Sequence, residues 1–324
     1  MKEWMQQLGV DPLPHLLSSE SEALGYFVQR DLLDQEPGPI QALWELSEVK
    51  KLLGKQREDG SWKYPSRGKK AYENENYDLL QTYRVLGILV EQYGLNQQHP
   101  AILNAAEYIF SHQTAEGDIR GIFGAQYVPH YTAGMIECLI KAGYASDARI
   151  KKGFEWYLSS RQDDGGWAWP LRTAKVRYQD AIKDPHPVQT DKSKPFSHAL
   201  TGFVLRAFAA HPDYRKSEEA RVAGELLKSR FFKPDKYSDR KPAHYWTKLQ
   251  FPFWWANILT ALDSLAWIGF SSDDVDVQKG LDWFRSKQDR SGLWPTAYGK
   301  AEKAEVVRLW VGLAVCRVFK RFYG

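Results

Sequence analysis

Two kinds of hydrophobic pattern alternate along the chain, and both have the period of a helix. Segments near 77–93, 130–143, 196–210, 252–269 and 304–320 are apolar almost all round. A helix of that kind is covered on every side, so these segments predict inner helices. Segments 40–55, 99–112, 147–161, 216–230 and 274–287 carry one apolar stripe and one charged face, which predicts an outer layer. The stretch 20–33 supplies a sixth inner candidate. Asp147 and Asp273 are expected to cap two of the outer helices.

Each outer segment runs into a similar turn. Gln56-Arg57-Glu58-Asp59-Gly60-Ser61-Trp62 shares its Gln, Gly and Trp, at the same spacing, with Gln288-Asp289-Arg290-Ser291-Gly292-Leu293-Trp294. Gln162-Asp163-Asp164-Gly165-Gly166-Trp167 is one residue shorter, and Gln113-Thr114-Ala115-Glu116-Gly117-Asp118-Ile119 lacks the Trp. The long interval between 162 and 288 leaves room for one more copy, and Leu226–Phe232 is taken as its eroded remnant. A Gly there suits the left-handed backbone after a helix, a Trp folds back on the turn, and the Gln amide satisfies loose backbone groups. Repeats of this length imply one helix pair per unit.

Connections from inner to outer helix are short, as from Gly94 to His99, Gly143 to Asp147 and Gly269 to Asp273. The returns at 57–76, 163–195 and 232–251 are long and all lead to the beginnings of inner helices. Long loops gathered at one end of a scaffold usually carry function.

Composition adds limits. The chain has 324 residues, 43% of them hydrophobic and 26% charged, and no run reaches the length of a membrane span. It reads as one domain, residues 1–324. A formal charge of +4 is too mild for a nucleic-acid partner. Cys138 and Cys316 fall in apolar helical stretches and are expected to be core thiols. Low thiol usage without a signal-like leader points to the cytoplasm; peripheral membrane contact and oligomeric state stay open.

Helix pairs closed by Gln-x-x-Asp-Gly-x-Trp resemble the all-α, α/α toroid of terpenoid cyclases and protein prenyltransferase β-subunits. The resemblance covers nearly the whole chain and implies a closed double ring whose central cavity binds isoprenoid-like molecules. The reaction motifs of those families are missing. There is no Asp-x-Asp-Asp run; Asp273-Asp274-Val275-Asp276 has the acids in another order at an outer-helix start. Asp191–His198 is similar to the segment bearing the prenyltransferase zinc His, but His130-Tyr131-Thr132 opens the preceding inner helix without an Asp-x-Cys. No metal is assigned, no cofactor is inferred, and the Cys-Gly-Glu-Gln thioester of complement-like toroids is also missing.

The candidate chemistry is therefore read from the residues. His130 and His198 open adjacent inner helices at equivalent places, as acid/base groups, as two ligands of a metal, or as hydrogen-bonded caps; His244 lies in a mouth loop. Asp78, after Glu73-Asn74-Glu75-Asn76, would orient a His or bind a cation, or simply complement the helix dipole. Glu137 and Asp263 occupy matching places inside apolar helices. Each must face a wet cavity or pair with a cation such as Arg84, Lys141, Arg206 or Arg308. Tyr77, Tyr131, Trp254, Trp255 and Asn257 complete the expected lining, with Phe251-Pro252-Phe253-Trp254-Trp255 as the densest aromatic run. Loop cations including Lys63, Arg67, Lys69, Lys70, Arg172, Lys192, Arg240 and Lys248 make the mouth basic. The first reading is an apolar, isoprenoid-like molecule with an anionic head, bound with or without a following transformation. A binding module without chemistry and a carbohydrate-active toroid enzyme are the alternatives.

Overall fold

The structure is a computed structural model that describes residues 2–65, 74–296 and 302–324. Arg67, Lys69, Lys70 and Glu73 lie outside the described residues. The helices in chain order are α1 (Glu3–Gln6), α2 (Leu13–Leu17), α3 (Glu22–Asp31), α4 (Ser47–Leu53) and α5 (Tyr77–Tyr93). They continue with α6 (Pro100–Phe110), α7 (Pro129–Leu139), α8 (Ala148–Ser159), α9 (Pro170–Thr173) and α10 (Tyr178–Ala181). The last are α11 (His198–Ala210), α12 (Glu218–Lys228), α13 (Ile258–Ile268), α14 (Val275–Lys287) and α15 (Glu302–Tyr323).

Helix α3 packs on α5, α5 on α7, α7 on α11, α11 on α13, α13 on α15, and α15 back on α3. The inner ring is closed. Helices α6, α8, α12 and α14 each pack outside the ring, and α4 packs against α5. The protein is an all-α toroid. Each inner helix from α3 to α13 is followed by an outer one that returns the chain, so the inner helices run parallel. Their N-termini share one face, and their C-termini the other.

The repeated turn is the device that spaces the ring. Trp62 Nε1 donates to Leu52 O at 2.8 Å, Trp167 to Tyr157 O at 2.9 Å and Trp294 to Phe284 O at 2.7 Å. Each indole thus closes the last turn of its own outer helix. The Gln56 side chain donates to Gly60 O and across to Ala101 O on the next outer helix; Gln113 does the same with Gly117 O and Arg149 O. The turn glycines have positive φ and lie tight against that next helix. A Cβ on Gly60 would sit 2.2 Å from Asn104 O, and one on Gly117 2.3 Å from Lys152 O. A Cβ on Gly292 would sit 2.8 Å from Pro12 Cα, so the last turn docks on the first segment of the chain.

Several expected boundaries shift. Outer segment 40–55 divides into a 3-10 helix, Ile40–Glu45, and α4. Segment 130–143 leaves α-helical geometry after Leu139 and ends in a π-type turn around Gly143. Asp147 caps α8 as expected, whereas α14 is capped by Asp274 and not Asp273. Residues 252–257 are not helical: Asn257 forms a capping box with Thr260, so α13 begins only at Ile258. At the eroded copy, Phe231 is buried and Trp246 supplies the missing indole, donating to Lys233 O at 3.0 Å. Cys138 and Cys316 are buried and unpaired, and burial raises both thiols above their ordinary value.

Candidate functional site

A cavity of about 650 Å³ opens on the face where the inner helices begin. Its walls come from the starts of α7 and α11, from the residue 123–127 turn, and from the long returns. Phe123, Tyr131, Trp169, Phe203, Trp246 and Trp255 supply most of its aromatic surface. The ring edges interlock: Phe123 meets Tyr131 at 5.9 Å between centroids, and Phe203 meets Trp255 at 6.0 Å. An interlocked wall keeps its shape when empty, which favours a preformed apolar site.

His130 and His198 both line this cavity. His130 sits 4.1 Å from the Tyr131 ring, and its Nδ1 accepts a hydrogen bond from Trp169 Nε1 at 3.1 Å. The accepting nitrogen carries no proton, so the neutral ring holds its proton on Nε2. Burial, helped by the Arg240 charge, lowers its pKa to about 3. His198 stacks on Trp246 at 4.5 Å, and burial lowers its pKa to about 4. Asp235 Oδ2 stands 3.4 Å from its Nδ1 and pulls the other way. Burial wins, because that carboxylate is already occupied by Ser197 Oγ at 2.7 Å and Ala199 N at 2.9 Å. Both histidines are therefore neutral near pH 7, so neither is an imidazolium poised as a general acid.

The acids stand elsewhere. Asp78 is turned away from the cavity: it pairs with Arg57 at 2.7 Å and accepts from Tyr64 N at 2.7 Å. Two of the described carboxylates do reach the wall: Glu75, hydrogen-bonded by Tyr178, and Asp239, paired with Arg172 at the rim. Burial, with Glu75 beside it, raises the Tyr77 phenol to about 12. Among the described residues no group of three or more His, Cys, Asp or Glu is placed to share a metal ion.

Glu137 and Asp263 belong to the opposite half of the ring. Glu137 bonds Arg206 at 2.6 Å and Lys141 at 2.8 Å, and Lys141 also pairs with Glu91. Burial raises the Glu137 pKa, but Arg206 and Lys141 together hold it below its ordinary value. Asp263 pairs with Arg321. Neither lines the cavity. The cations collect there because the inner helices point their negative dipole ends at that face. Asn257 is also removed from the lining, being 1% exposed and committed to its capping box.

Of the expected aromatics, Tyr77, Tyr131 and Trp255 reach the main cavity, while Trp254 lines a smaller chamber next to it. Phe251 stacks on Trp310 inside the core. His244 lies exposed against Tyr245. Among the rim cations, Arg172 pairs with Asp239, Arg240 covers the Trp255 ring at 3.3 Å, and Lys248 lies 4.4 Å from the Tyr245 ring. Phe123, Trp169, Tyr178, Phe203 and Trp246 carried no periodic signal. They come from loops or from one position on a uniformly apolar helix, and only the fold turns them inward.

Residues 73–192 match the family model of the squalene-hopene cyclase C-terminal domain. A probable squalene–hopene cyclase of Sinorhizobium fredii (strain NBRC 101917 / NGR234) is 26% identical over 133 residues, 40% of this chain and 20% of that protein. The chain thus matches about a fifth of the length of this curated relative. Among solved structures, a type II terpene cyclase variant from Scytonema, in complex with geranylgeranyl dihydroxybenzoate, aligns over 87% of this chain and 84% of its own. Its identity is 12% and its TM-score 0.44. A protein from Actinoplanes aligns over 87% of this chain and 99% of its own, at 14% identity and a TM-score of 0.31. The chain is terpenoid cyclase-like, on the strength of the matched domain and the curated relative.

Proposed function

We propose that this terpenoid cyclase-like protein binds an apolar, isoprenoid-like molecule with an anionic head in the central cavity. The aromatic cavity of about 650 Å³ carries the reading. That volume lies in the range of small-molecule sites, roughly 300–1,000 Å³. Its ring faces suit both an alkenyl chain and any positive charge developing on one, through cation–π attraction. The squalene-hopene cyclase domain match is consistent with such a molecule.

The side chains present favour holding over proton donation. His130 and His198 are neutral, and of the two wall carboxylates Asp239 is held by Arg172, so Glu75 is the one favoured to exchange a proton with a bound molecule, through Tyr178 or directly. If a reaction follows binding, Glu75 is its acid/base group. The carbohydrate reading is less well supported, since Trp169, Trp246 and Trp255 line the cavity and do not pave an open groove.

Tryptophan fluorescence titration with farnesyl and geranylgeranyl diphosphate, followed by mass spectrometry of the mixture, tests this reading. Saturable quenching is expected, weakened about tenfold or more in Trp255→Ala, as loss of one packed aromatic ring implies. Absence of saturable binding to the intact protein would overturn it. A product that forms with the wild type but not with Glu75→Gln would assign the chemistry.

A further inference from the structure

A chamber of about 330 Å³ lies beside the main cavity, and Tyr131 and Trp255 line both. Its other walls are Trp254 and a stripe of α5 that includes Gln81, Arg84 and Ile88. These α5 positions lie on one helical face with Tyr77, which lines the main cavity. The chamber is apolar apart from Gln81, Gln250 and Arg84.

Arg84 differs from the other arginines of the ring interior. Arg206 has Glu137, Arg317 has Asp31 and Arg321 has Asp263. Arg84 has no carboxylate in ion-pair reach among the described residues. Its recorded contact is with the Tyr64 ring, 5.8 Å from the centroid. The half-buried guanidinium makes no hydrogen bond or ion pair among the described residues, so its donors are available to an anion entering the chamber. Arg172, at the rim of the main cavity, is by contrast already paired with Asp239.

We propose that Arg84 anchors the anionic end of the ligand in this side chamber, with the apolar chain passing between Tyr131 and Trp255 into the main cavity. The guanidinium presents paired donors that fit a carboxylate or a phosphate oxyanion in two-pronged fashion. Gln81 lines the same chamber and offers an amide beside them. The ligand class is then an apolar chain ending in one such oxyanion, held head inward and not at the rim. This deepens the binding reading above and rests on it.

Matched probes separate the two. Farnesyl diphosphate and farnesoic acid are titrated beside farnesol, and dodecanoate beside dodecanol, against the wild type, Arg84→Gln, Arg84→Lys and Lys248→Gln. In Arg84→Gln the anions should lose about tenfold or more in affinity while the alcohols stay within about twofold. Arg84→Lys should recover part of the loss, and circular dichroism confirms that each variant is folded. If Arg84→Gln keeps the preference for anions, or loses alcohols and anions equally, the anchor is overturned while the cavity reading stands. If Lys248→Gln alone removes the preference, the head lies at the rim and the anchor is likewise overturned. A wild type that binds neither anions nor alcohols removes both proposals.

Discussion

Replacing Glu137 by Gln isolates the ion cluster that fills the ring below the cavity. Glu137 and Arg206 are 4% and 5% exposed, so neither has bulk water to fall back on. Glu137 Oε2 is the carboxylate partner of Arg206, whose Nη2 also donates to the Phe253 carbonyl at 2.8 Å. Arg206 Nε and Nη1 already lack hydrogen-bond partners. The Gln side chain keeps the volume, so no cavity is created, but it leaves a buried positive charge without its counter-charge. Breaking a buried pair from one side costs about 3–5 kcal/mol. Lys141 keeps Glu91 and should add little to the loss. Arg206→Met alone is milder, since Glu137 retains Lys141 at 2.8 Å. The double variant Glu137→Gln/Arg206→Met removes both charges and should return to within about 1–2 kcal/mol of the wild type. Urea unfolding followed by circular dichroism measures all four proteins. A loss below about 1 kcal/mol in Glu137→Gln, or a double variant no more stable than that single one, would refute the assignment. The ligand-binding reading makes a second demand. Diphosphate affinity of folded Glu137→Gln should stay within about twofold of wild type, because the cluster lies outside the cavity wall.

Other expected outcomes follow from the same geometry. Trp294→Ala removes a fully buried indole and should cost about 3–5 kcal/mol in urea unfolding; Trp294→Phe keeps a ring and leaves Phe284 O its bond from Gln288 N, so it should cost only about 0.5–1.5 kcal/mol. Full stability in Trp294→Ala would contradict the structural role of the repeated turn. Gly117→Ala combines a φ of 114° with a Cβ 2.3 Å from Lys152 O, so it should lower stability by more than about 1 kcal/mol, whereas an unchanged thermal midpoint would count against this packing. His130 and His198 have folded pKa values of about 3 and about 4, below the unfolded value of about 6.5. Between those limits the unfolded chain binds the extra protons, so stability is full above about pH 6.5. It falls by up to about 1.4 kcal/mol per pH unit for each His as the pH drops. Unfolding free energies at pH 7, 6 and 5 should show that slope, reduced in His130→Gln and in His198→Gln. A flat profile would mean that the imidazoles are not buried neutral.

How much of the site was legible in the sequence differs from residue to residue. His130, His198, Tyr77 and Tyr131 line the cavity from inner-helix starts that the loop lengths mark, whereas Trp255 lines it from the loop before α13. Asp78 shares that location and fails on direction: its neighbours Arg57 and Tyr64 claim it through a return loop whose path no local pattern encodes. Glu137 and Asp263 show the limit more sharply. A carboxylate in an apolar helix announces a partner, but whether that partner is a wet cavity or an arginine from another helix depends on the register between helices.

By itself the sequence determined the alternation of inner and outer helices, and the resemblance it carries implied their closure into a ring. Its period marks which helices are covered on all sides. Its Gln, Gly and Trp sit at positions where only a left-handed turn with an indole folded beneath can follow. These are local rules, satisfied within one helix pair, and they survive repetition and erosion. The tertiary structure alone decided which carboxylates are neutralised, which histidines are kept uncharged, and that Trp246 stands in for a lost indole. It also left Arg84 facing an aromatic chamber without a counter-charge. Those outcomes depend on burial and on partners tens of residues away, and burial and charge pairing are properties of the closed ring.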